Sequence, residues 1–564
     1  MIIDTLRFAI DTALSKLDIS APEEVELEHP ADLEHGDYAT NIALQLAGRE
    51  DTNPRELAEK IIKKLEENLP DEVASLAVAG PGFINFHLSP VFFAEQISAV
   101  LQRGASFGNS AMGADKTVVV EYSSPNIAKP FSVGHLRSTV IGDAVANILA
   151  FTGHSVIRDN HLGDWGTQFG KVLYALDAWG DIEKIENSSE PVKDLVALYV
   201  KFHKEAEEDE TLNEAARAWF ARMEEGDGET RELLDKLRTW SLNAFAEIYD
   251  RLGVSFDSTH GESKFMDFVS VVKQDLEAKD MLARNEGAKL VYFEDEAGEE
   301  VMPPLMIEKS DGTSTYAARD LATDKWRRGE YGKDITIINE VGSEQTLYFK
   351  QLFETEELLG YFANRQRHHL THGLFRFKDG KMSTRAGNVI WLEEIIDEAR
   401  QRAEEFNDDE EVAEAVAIGA IKFNDLKRDP IKDIVFSWDE VLNLEGNSGP
   451  YLQYTHARAK AVLKKAESED LAPEVGDGMS EATEVEKLSY RFPEVVERAA
   501  RDRAPRYVAN YLYDLAQAFN TFYGNTQIVS DEPEAAHRLA VTAATAQVLE
   551  NGLKLLGIKA PEEM

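Results

Sequence analysis

The 564-residue sequence predicts a multidomain α/β protein, in which a doubly wound α/β domain lies between an N-terminal α+β domain and a C-terminal α-helical bundle. Three observations lead to this prediction. A β-branched run at 118–120 gives way, through a loop, to apolar residues at helical spacing up to Leu149. Further short apolar runs at 156–158 and 335–339 are typical of strands that alternate with helices in a parallel sheet. From residue 440 onward nearly the whole sequence has helical periodicity.

The domain boundaries follow from these changes of pattern. We place the three domains at 1–113, 114–435 and 436–564. A highly charged stretch at about 182–264 has ordinary amphipathic spacing, so we expect a helical insertion within the central domain. Strand patterns at 289–293, 335–339 and 369–381 are expected to complete the central sheet after that insertion.

Cysteine is absent from the sequence, which excludes disulfides and thiolate metal sites. His368, His369 and His372 have a spacing that could chelate on a helix, but their surroundings read as strand and loop, so no zinc is proposed. No apolar run approaches the roughly 18 residues that span a bilayer. The N-terminus also lacks the layout of a signal peptide. We therefore expect a soluble, cytoplasmic protein with no membrane partner.

The junction between the 118–120 strand and the next helix is the first candidate site. A buried parallel strand that feeds a helix brings unpaired N–H groups and the positive end of the helix dipole to the carboxyl edge of the sheet, where phosphate binds. The helix is expected to begin near Ser132. Gly134 lets a flat ligand lie against the backbone, and His135 offers a donor to a phosphoryl oxygen. Taken alone, these residues are more typical of a capped helix with a solvent-facing histidine.

A second stretch, G-K-M-S-T-R-A-G-N at 380–388, changes that interpretation. Together, S-V-G-H at 132–135 and K-M-S-T-R at 381–385 resemble the two signatures of class I aminoacyl-tRNA synthetases. The sequences S-S-P-N-I-A-K-P at 123–130 and H-L-G-D-W-G-T-Q-F-G at 161–170 narrow the resemblance to arginyl-tRNA synthetases. The resemblance implies a Rossmann-like catalytic domain. It also implies ligation of L-arginine to tRNA(Arg) through arginyl-adenylate, with ATP and Mg²⁺ and with release of AMP and pyrophosphate. We expect a monomer.

The resemblance also implies the residues that bind each small substrate. Tyr316 and Asp320 lie four apart on one helical face, and a carboxylate can accept two parallel bonds from a guanidinium. On pattern alone, that pair is more typical of an exposed turn. The implied arginine ligands are Glu121, Asn126, Tyr316, Asp320 and Gln345. The implied ATP ligands are Ser132, Gly134, His135, His372, Gly373, Lys381, Met382 and Ser383.

Two positions depart from the class I signatures. Ser132 replaces the first histidine, and Thr384 replaces the second lysine, so a cation is missing near the phosphates. Lys129 is our candidate for that cation, and Arg385 is the competing one. The predicted catalytic residues are thus Lys129, His135 and Lys381.

The terminal domains are expected to bind tRNA. By resemblance, Phe83 stacks on a loop base and Asn85 reads its edge, although Phe83 is equally suited to a strand core. In the C-terminal bundle the implied anticodon residues are Tyr451, Tyr454, Arg458 and Met564, with bundle packing as the alternative for the tyrosines.

The charge balance is unusual for an RNA-binding protein, since 60 Lys and Arg against 103 Asp and Glu leave a net charge of −43. Either the acidic residues cover faces away from RNA, or the protein works in salt that screens the repulsion; the total favours a halophilic, salt-adapted surface. Two other functions remain open. One is a class I ligase for another amino acid, which Tyr316 and Asp320 oppose. The other is a catalytically idle tRNA-binding paralogue, which the changes at 132 and 384 permit.

Overall fold

The computed structural model describes residues 2–377, 391–405, 407–476 and 481–564. Lys381, Met382 and Ser383, and with them Thr384 and Arg385, lie outside the described residues. In the described part of the chain, no helix combines the length and the apolar character needed to cross a membrane.

The N-terminal part packs helices on one face of a small antiparallel sheet, whose strand order is β1-β3-β2. Ile84 and Phe86 of the central strand point into the core between sheet and helices. Phe83 and Asn85 alternate with them and therefore face the other side. The elements are α1 (Ile2–Ser15), β1 (Tyr38–Thr40), α2 (Ile42–Ala47), α3 (Pro54–Leu65), β2 (Val73–Ala79), β3 (Phe83–Leu88) and α4 (Pro90–Arg103).

The central part is built on a four-stranded parallel sheet. The first half and its helical insertion comprise β4 (Thr117–Glu121), α5 (Val133–Phe151), β5 (Ser155–Asp159), α6 (Thr167–Trp179), α7 (Ile182–Glu186), α8 (Pro191–Glu208), α9 (Thr211–Glu225) and α10 (Gly228–Leu252). The second half comprises α11 (Met266–Ala278), β6 (Ala283–Asn285), β7 (Ala288–Glu294), β8 (Glu300–Glu308), α12 (Tyr316–Tyr331), β9 (Thr336–Gly342), α13 (Thr346–Leu359), β10 (Arg367–His372), β11 (Phe375–Phe377), α14 (Leu392–Ala403), α15 (Glu410–Leu426), β12 (Ile434–Phe436) and α16 (Trp438–Val441).

The strand order of the parallel sheet is β10-β9-β4-β5. The strand that follows β4 in sequence, β5, lies on one side of the central β4/β9 pair, and the strand that follows β9, β10, lies on the other side. Val119 of β4 pairs with Ile157 on one side and Ile337 on the other, and all three side chains are apolar. Ligands of doubly wound sheets bind where the strand order reverses, outside the carboxyl ends of the strands. The β4/β9 boundary is therefore the place to look for a site.

The predicted completion of this sheet by 289–293, 335–339 and 369–381 is only partly right, and β11 (Phe375–Phe377) pairs with β12 in a separate two-stranded parallel sheet. Residues 289–293 lie in β7, which pairs with β6 and β8 in a separate antiparallel sheet instead of completing the parallel one. The physical reason is local. Glu286 and Gly287 both have positive φ, at 50° and 88°. Such a two-residue turn joins consecutive strands as a hairpin, and pairing within a hairpin is antiparallel.

The C-terminal part is helical: α17 (Gly449–Ser468), α18 (Glu484–Ser489), α19 (Phe492–Asp502), α20 (Arg506–Asn525) and α21 (Ala535–Leu555). Its core is continuous with that of the central part. A Cβ on Gly449 would lie 2.3 Å from the carbonyl oxygen of Gly419 in α15, so glycine is required at this helix contact. Glu494 accepts a hydrogen bond from Tyr38, which links the bundle to the N-terminal sheet.

Candidate active site

The start of α5 lies over the reversal of strand order. Ser138, in the second turn of α5, accepts a hydrogen bond from the N–H of Ser123 (2.9 Å) just after β4. The hydroxyl of Ser138 donates to the carbonyl of Glu340 (2.9 Å) in β9. One side chain thus ties the helix to both strands that flank the crevice, and the S-V-G-H turn is held at the carboxyl edge as predicted from the sequence.

The loop between β4 and α5 has an unusual backbone. Ser123, Ser124 and Ala128 all have positive φ, between 45° and 68°. Such conformations cost about 1–3 kcal/mol each and persist only where surroundings enforce them. Here the insertion helix α10 does so: Ser241 accepts from the N–H of Ala128 (2.9 Å), and the hydroxyl of Tyr249 lies 2.8 Å from that of Ser123. The charged insertion therefore supports the loop.

The hydrogen bonding of His135 fixes which of its ring nitrogens carries the proton. Its Nδ1 accepts the backbone N–H of Ser132 (3.1 Å), so the ring proton must lie on Nε2. Burial lowers the pKa of His135 to about 4, and nearby Lys129 contributes to the shift. The imidazole is therefore neutral at pH 7. The pKa of the half-buried Lys129 is itself lowered by burial. Gly134 is exposed beside them and leaves the backbone open to a ligand.

Asp320 lies at the centre of a second group of side chains. It is in the second turn of α12, and its Oδ2 accepts a hydrogen bond from the hydroxyl of Tyr348. Burial raises its pKa to about 7. Tyr316, at the first position of the same helix, is half exposed, and its ring centroid lies 4.6 Å from that of Tyr348. Tyr316 and Asp320 therefore both contact Tyr348, and Asp320 lies within a helix instead of in an exposed turn.

Glu121 is held by a buried arginine. Nη2 of Arg327 lies 2.7 Å from Oε2 of Glu121 and also bonds Asp159, while Nη1 bonds Asp324 (2.8 Å). Asp324 also bonds Arg367 (2.8 Å). These carboxylates pull the pKa of Arg327 well above its usual value despite its burial. Glu121 lies at the carboxyl end of β4, with its charge compensated from within the protein.

The segment 160–168 joins the two groups of side chains. His161 lies with Nε2 4.0 Å from Oδ1 of Asp320. Two residues on, the carbonyl of Gly163 accepts the N–H of Ile127 (3.0 Å), and a Cβ on Gly163 would lie 2.2 Å from Oδ1 of Asn126. Gln168 donates to the same oxygen of Asn126 (3.2 Å). Gln168 and Tyr316 both line a cavity of about 550 Å³.

The predicted adenine side lies at the end of β10. Nδ1 of His372 lies 2.8 Å from Oε1 of the buried Glu340. The carbonyl of Gly373 accepts from Arg137 of α5 (2.8 Å), and a Cβ on Gly373 would lie 2.7 Å from the carbonyl oxygen of Ile431. His372 and Gly373 are thus tied to the helix that begins with S-V-G-H.

The predicted lysine loop lies outside the described residues, but two residues beyond it contact the S-V-G-H turn or the residue before it. Leu392 donates its N–H to the carbonyl of Phe131 (3.0 Å), and Trp391 pairs with Ser132 in an isolated bridge. The start of α14 therefore lies beside the S-V-G-H turn. Gln345 is exposed at the start of α13, three residues before Tyr348.

The predicted RNA-binding residues fall into two places. Phe83 and Asn85 share the face of β3 away from the N-terminal core, where Phe83 is half-buried and Asn85 is buried (5% exposed). Tyr454, Arg458 and Met564 line a cavity of about 1460 Å³ in the bundle. Tyr451 is not in that lining.

The contacts of these bundle residues show how each side chain is held. The guanidinium of Arg458 lies over the rings of Tyr454 (4.8 Å) and Tyr523 (5.1 Å), an arrangement that leaves aromatic and cationic groups at the cavity wall. The hydroxyl of Tyr451 instead accepts from Asn520 (2.9 Å), and its ring packs against Tyr513. Asn520 also accepts a hydrogen bond from Arg458, so Tyr451 and Arg458 share one network of contacts.

Reasoning from the sequence missed four residues of the site: His161, Tyr348, Arg327 and Arg137. His161 opens a motif that was recognised, but its own contact with Asp320 was not foreseen. Tyr348 follows Gln345 by less than one helical turn, which was a usable signal. Arg137 bonds Asp425 (3.0 Å) across 288 positions, and no local pattern marks such a contact.

Family models match three parts of the chain. Residues 4–88 match the arginyl tRNA synthetase N terminal domain, residues 96–438 the catalytic domain of tRNA synthetases class I (R), and residues 452–564 the DALR anticodon binding domain.

Individual relatives span the whole chain. It is 41% identical to the arginine–tRNA ligase of Halothermothrix orenii over 563 residues, which cover 96% of each protein. It is 42% identical over 552 residues to that of Clostridium perfringens, covering 95% of this chain and 96% of the relative. Among solved structures, the Thermus thermophilus arginyl-tRNA synthetase superposes with a TM-score of 0.81 at 28% identity, covering 100% of both chains.

Proposed function

The chain belongs to the class I arginyl-tRNA synthetases, which use ATP to join arginine to tRNA through an aminoacyl-adenylate, and from this premise we propose how its residues divide the work. Arginine lies with its guanidinium on Asp320 and Tyr316 and its α-amino and carboxylate end at Asn126 and Gln345. ATP lies across the His135 turn, with its adenine at His372 and Gly373.

The observation that carries this proposal is the hydrogen bonding of the two carboxylate oxygens of Asp320. Its Oδ2 is occupied by Tyr348, whereas no described residue donates a hydrogen bond to its Oδ1. A planar guanidinium is the group whose paired N–H donors suit a carboxylate with an accessible oxygen. The segment 160–168 connects that carboxylate to Asn126, so a ligand on Asp320 has its other end directed towards the ATP side.

In the first step the carboxylate of arginine attacks the α-phosphorus of ATP, and pyrophosphate leaves. His135 donates from Nε2 to the phosphoryl oxygen on which charge develops, and the N-terminus of α5 adds its dipole. Loss of one such donor typically lowers the rate by about 10² to 10³. Lys129 supplies the cation that Thr384 does not, and Lys381 acts on the pyrophosphate. In the second step a ribose hydroxyl of the terminal adenosine of the tRNA takes the arginyl group.

We assign Mg²⁺ to the bound nucleotide. Mg²⁺ in nucleotide sites is usually held by one or two carboxylates together with substrate phosphates. When bound, the ion neutralises phosphate charge.

The remaining proposals concern the whole chain. The domains at 1–113, 114–435 and 436–564 serve the tRNA elbow, catalysis and the anticodon. Phe83 and Asn85 meet a loop of the tRNA; Tyr454, Arg458 and Met564 meet the anticodon, with Tyr451 packed behind them. The net charge of −43 supports a surface adapted to a salt-rich cytosol. We propose a cytoplasmic monomer.

Pyrophosphate exchange tests the proposal. The full-length protein is assayed with each of the twenty amino acids, with and without tRNA, and arginine alone should support exchange. Lys129→Ala and Arg385→Ala are then compared, and Lys129→Ala should show the larger loss of rate. Exchange driven by another amino acid would contradict the pocket assignment. If Lys129→Ala has a near wild-type exchange rate, Lys129 is not the replacement cation and Arg385 becomes the candidate.

A further inference from the structure

The imidazole of His161 is a buried polar group that the proposed reaction does not use. About a tenth of its side chain is exposed (11%). Among the described residues, none forms a hydrogen bond with its Nε2. A buried polar atom without a partner is destabilising, so an orphan of this kind calls for an explanation.

Four charged groups face His161, and they come from three parts of the fold. Glu121 ends β4, Asp320 and Arg327 project from α12, and Glu262 precedes α11. The ring of His260 lies next to the same Phe265 ring that His161 packs against.

Most of these carboxylates already have a cation. Glu121 is bonded by Arg327 (2.7 Å), and Glu262 is bonded by Arg319. Asp320 differs, because among the described residues the cationic group nearest to it is the imidazole of His161, at 4.0 Å. Its hydrogen-bond donor, Tyr348, is neutral. The charge of Asp320 is therefore left for His161 or for a ligand to balance.

Resting on the arginine pocket proposed above, we propose that His161 is a specificity residue: its protonated imidazole balances Asp320 in the empty enzyme, and the incoming guanidinium displaces that proton. A side chain with a permanent positive charge can replace the imidazolium, whereas a neutral isostere leaves it in place and gains no ion pair. Binding then exchanges one cation for another, and no uncompensated carboxylate is buried in either state.

The direction of the acid–base shifts supports this exchange. Burial alone would lower the pKa of His161, but Glu121, Asp320 and Glu262 outweigh burial and the repulsion of Arg327, so the pKa lies above its usual value of 6.5. Conversely, burial raises the pKa of Asp320 to about 7, and His161 opposes that rise. The pair thus holds a proton near neutral pH. A second cation beside it favours release of that proton.

The test follows the protonation of His161 directly. The full-length enzyme is labelled with ¹³C at the histidine ring carbons, and the His161 resonance is assigned by its loss in His161→Gln. His154, which lies between α5 and β5, provides a matched control through His154→Gln. The titration midpoint of His161 is measured in the empty enzyme, with saturating arginine and with citrulline, the neutral isostere.

We expect arginine to lower the His161 midpoint by about one pH unit or more, as a like charge at close range does, and citrulline to leave it unchanged. The midpoint of His154 should not respond to either ligand. An unchanged or raised midpoint of His161 with arginine bound would overturn the inference while leaving the arginine pocket intact. Failure of arginine to bind by calorimetry, or to perturb any resonance near Asp320, would instead overturn the pocket itself.

Discussion

Arg327 offers the strongest test of how the candidate site is held together. It bridges Glu121 and Asp159, which are register partners at the carboxyl ends of the neighbouring strands β4 and β5. Neighbouring strands lie about 4.8 Å apart. At an effective dielectric constant of about 20, two like charges at about 5 Å repel by about 3 kcal/mol. Removing one partner of a buried ion pair costs about 3–5 kcal/mol.

We therefore expect Arg327→Met to lower the free energy of local opening of β4 and β5 by about 3–5 kcal/mol at pH 7. Asp324 keeps Arg367 as a partner (2.8 Å).

Hydrogen exchange of peptides covering 117–121 and 155–159 is the suitable assay, because unfolding of a multidomain chain is not two-state. Arg328→Met changes the adjacent residue of the same helix and is the matched control. Arg327→Lys keeps the charge without the planar fork and should give an intermediate loss. Equal losses in Arg327→Met and Arg328→Met would refute the reasoning.

Three further predictions follow from other parts of the molecule. Burial holds the pKa of His135 near 4, so its neutral, donating form persists over most of the pH range. The kcat for exchange should therefore stay constant from pH 8 to about 5.5 and fall only towards pH 4. A decline with a midpoint near 6.5 would be inconsistent with a buried neutral imidazole. Phe83→Ala should raise the KM for tRNA by about fivefold to a hundredfold, since base stacking contributes about 1–3 kcal/mol. Phe8→Ala, which changes a phenylalanine on α1 that is 74% exposed, should leave that KM unchanged. Equal effects of the two substitutions would argue against a stacking role. With a net charge of −43, the melting temperature should rise between 0.1 M and 2 M KCl as self-repulsion is screened, and a maximum in dilute buffer would exclude salt adaptation.

The parts of the fold that were predictable are those written in local patterns. Gly134 and His135 lie in the first turn of the helix of the strand–loop–helix unit, and Tyr316 and Asp320 have helical spacing. Each pattern depends on residues within one or two turns of each other. The pairing of 289–293 was not predictable in the same way. A short apolar strand fits a parallel sheet or a hairpin equally well, and the turn at Glu286 and Gly287 decided between them.

The electrostatic part of the site could not have been predicted. Glu121 and Asp320 were expected as ligands, but Arg327 neutralises the first and His161 faces the second, and both contacts join residues far apart in the sequence. Burial, which moves the pKa values of His135 and Asp320 in opposite directions, is likewise a property of the folded chain. The sequence indicates which groups are present, and the fold decides which charges remain uncompensated.

The most direct measurement of a shared centre for arginine and ATP compares Asp320→Asn with His135→Asn in arginine-dependent pyrophosphate exchange. Asp320→Asn should raise the KM for arginine by roughly 30-fold or more, corresponding to about 2–5 kcal/mol, with the KM for ATP unchanged. His135→Asn should lower kcat by about 10² to 10³ with the KM for arginine unchanged. Near wild-type kinetics in either variant, or a KM effect of Asp320→Asn on ATP instead of arginine, would contradict a single centre built from these two groups.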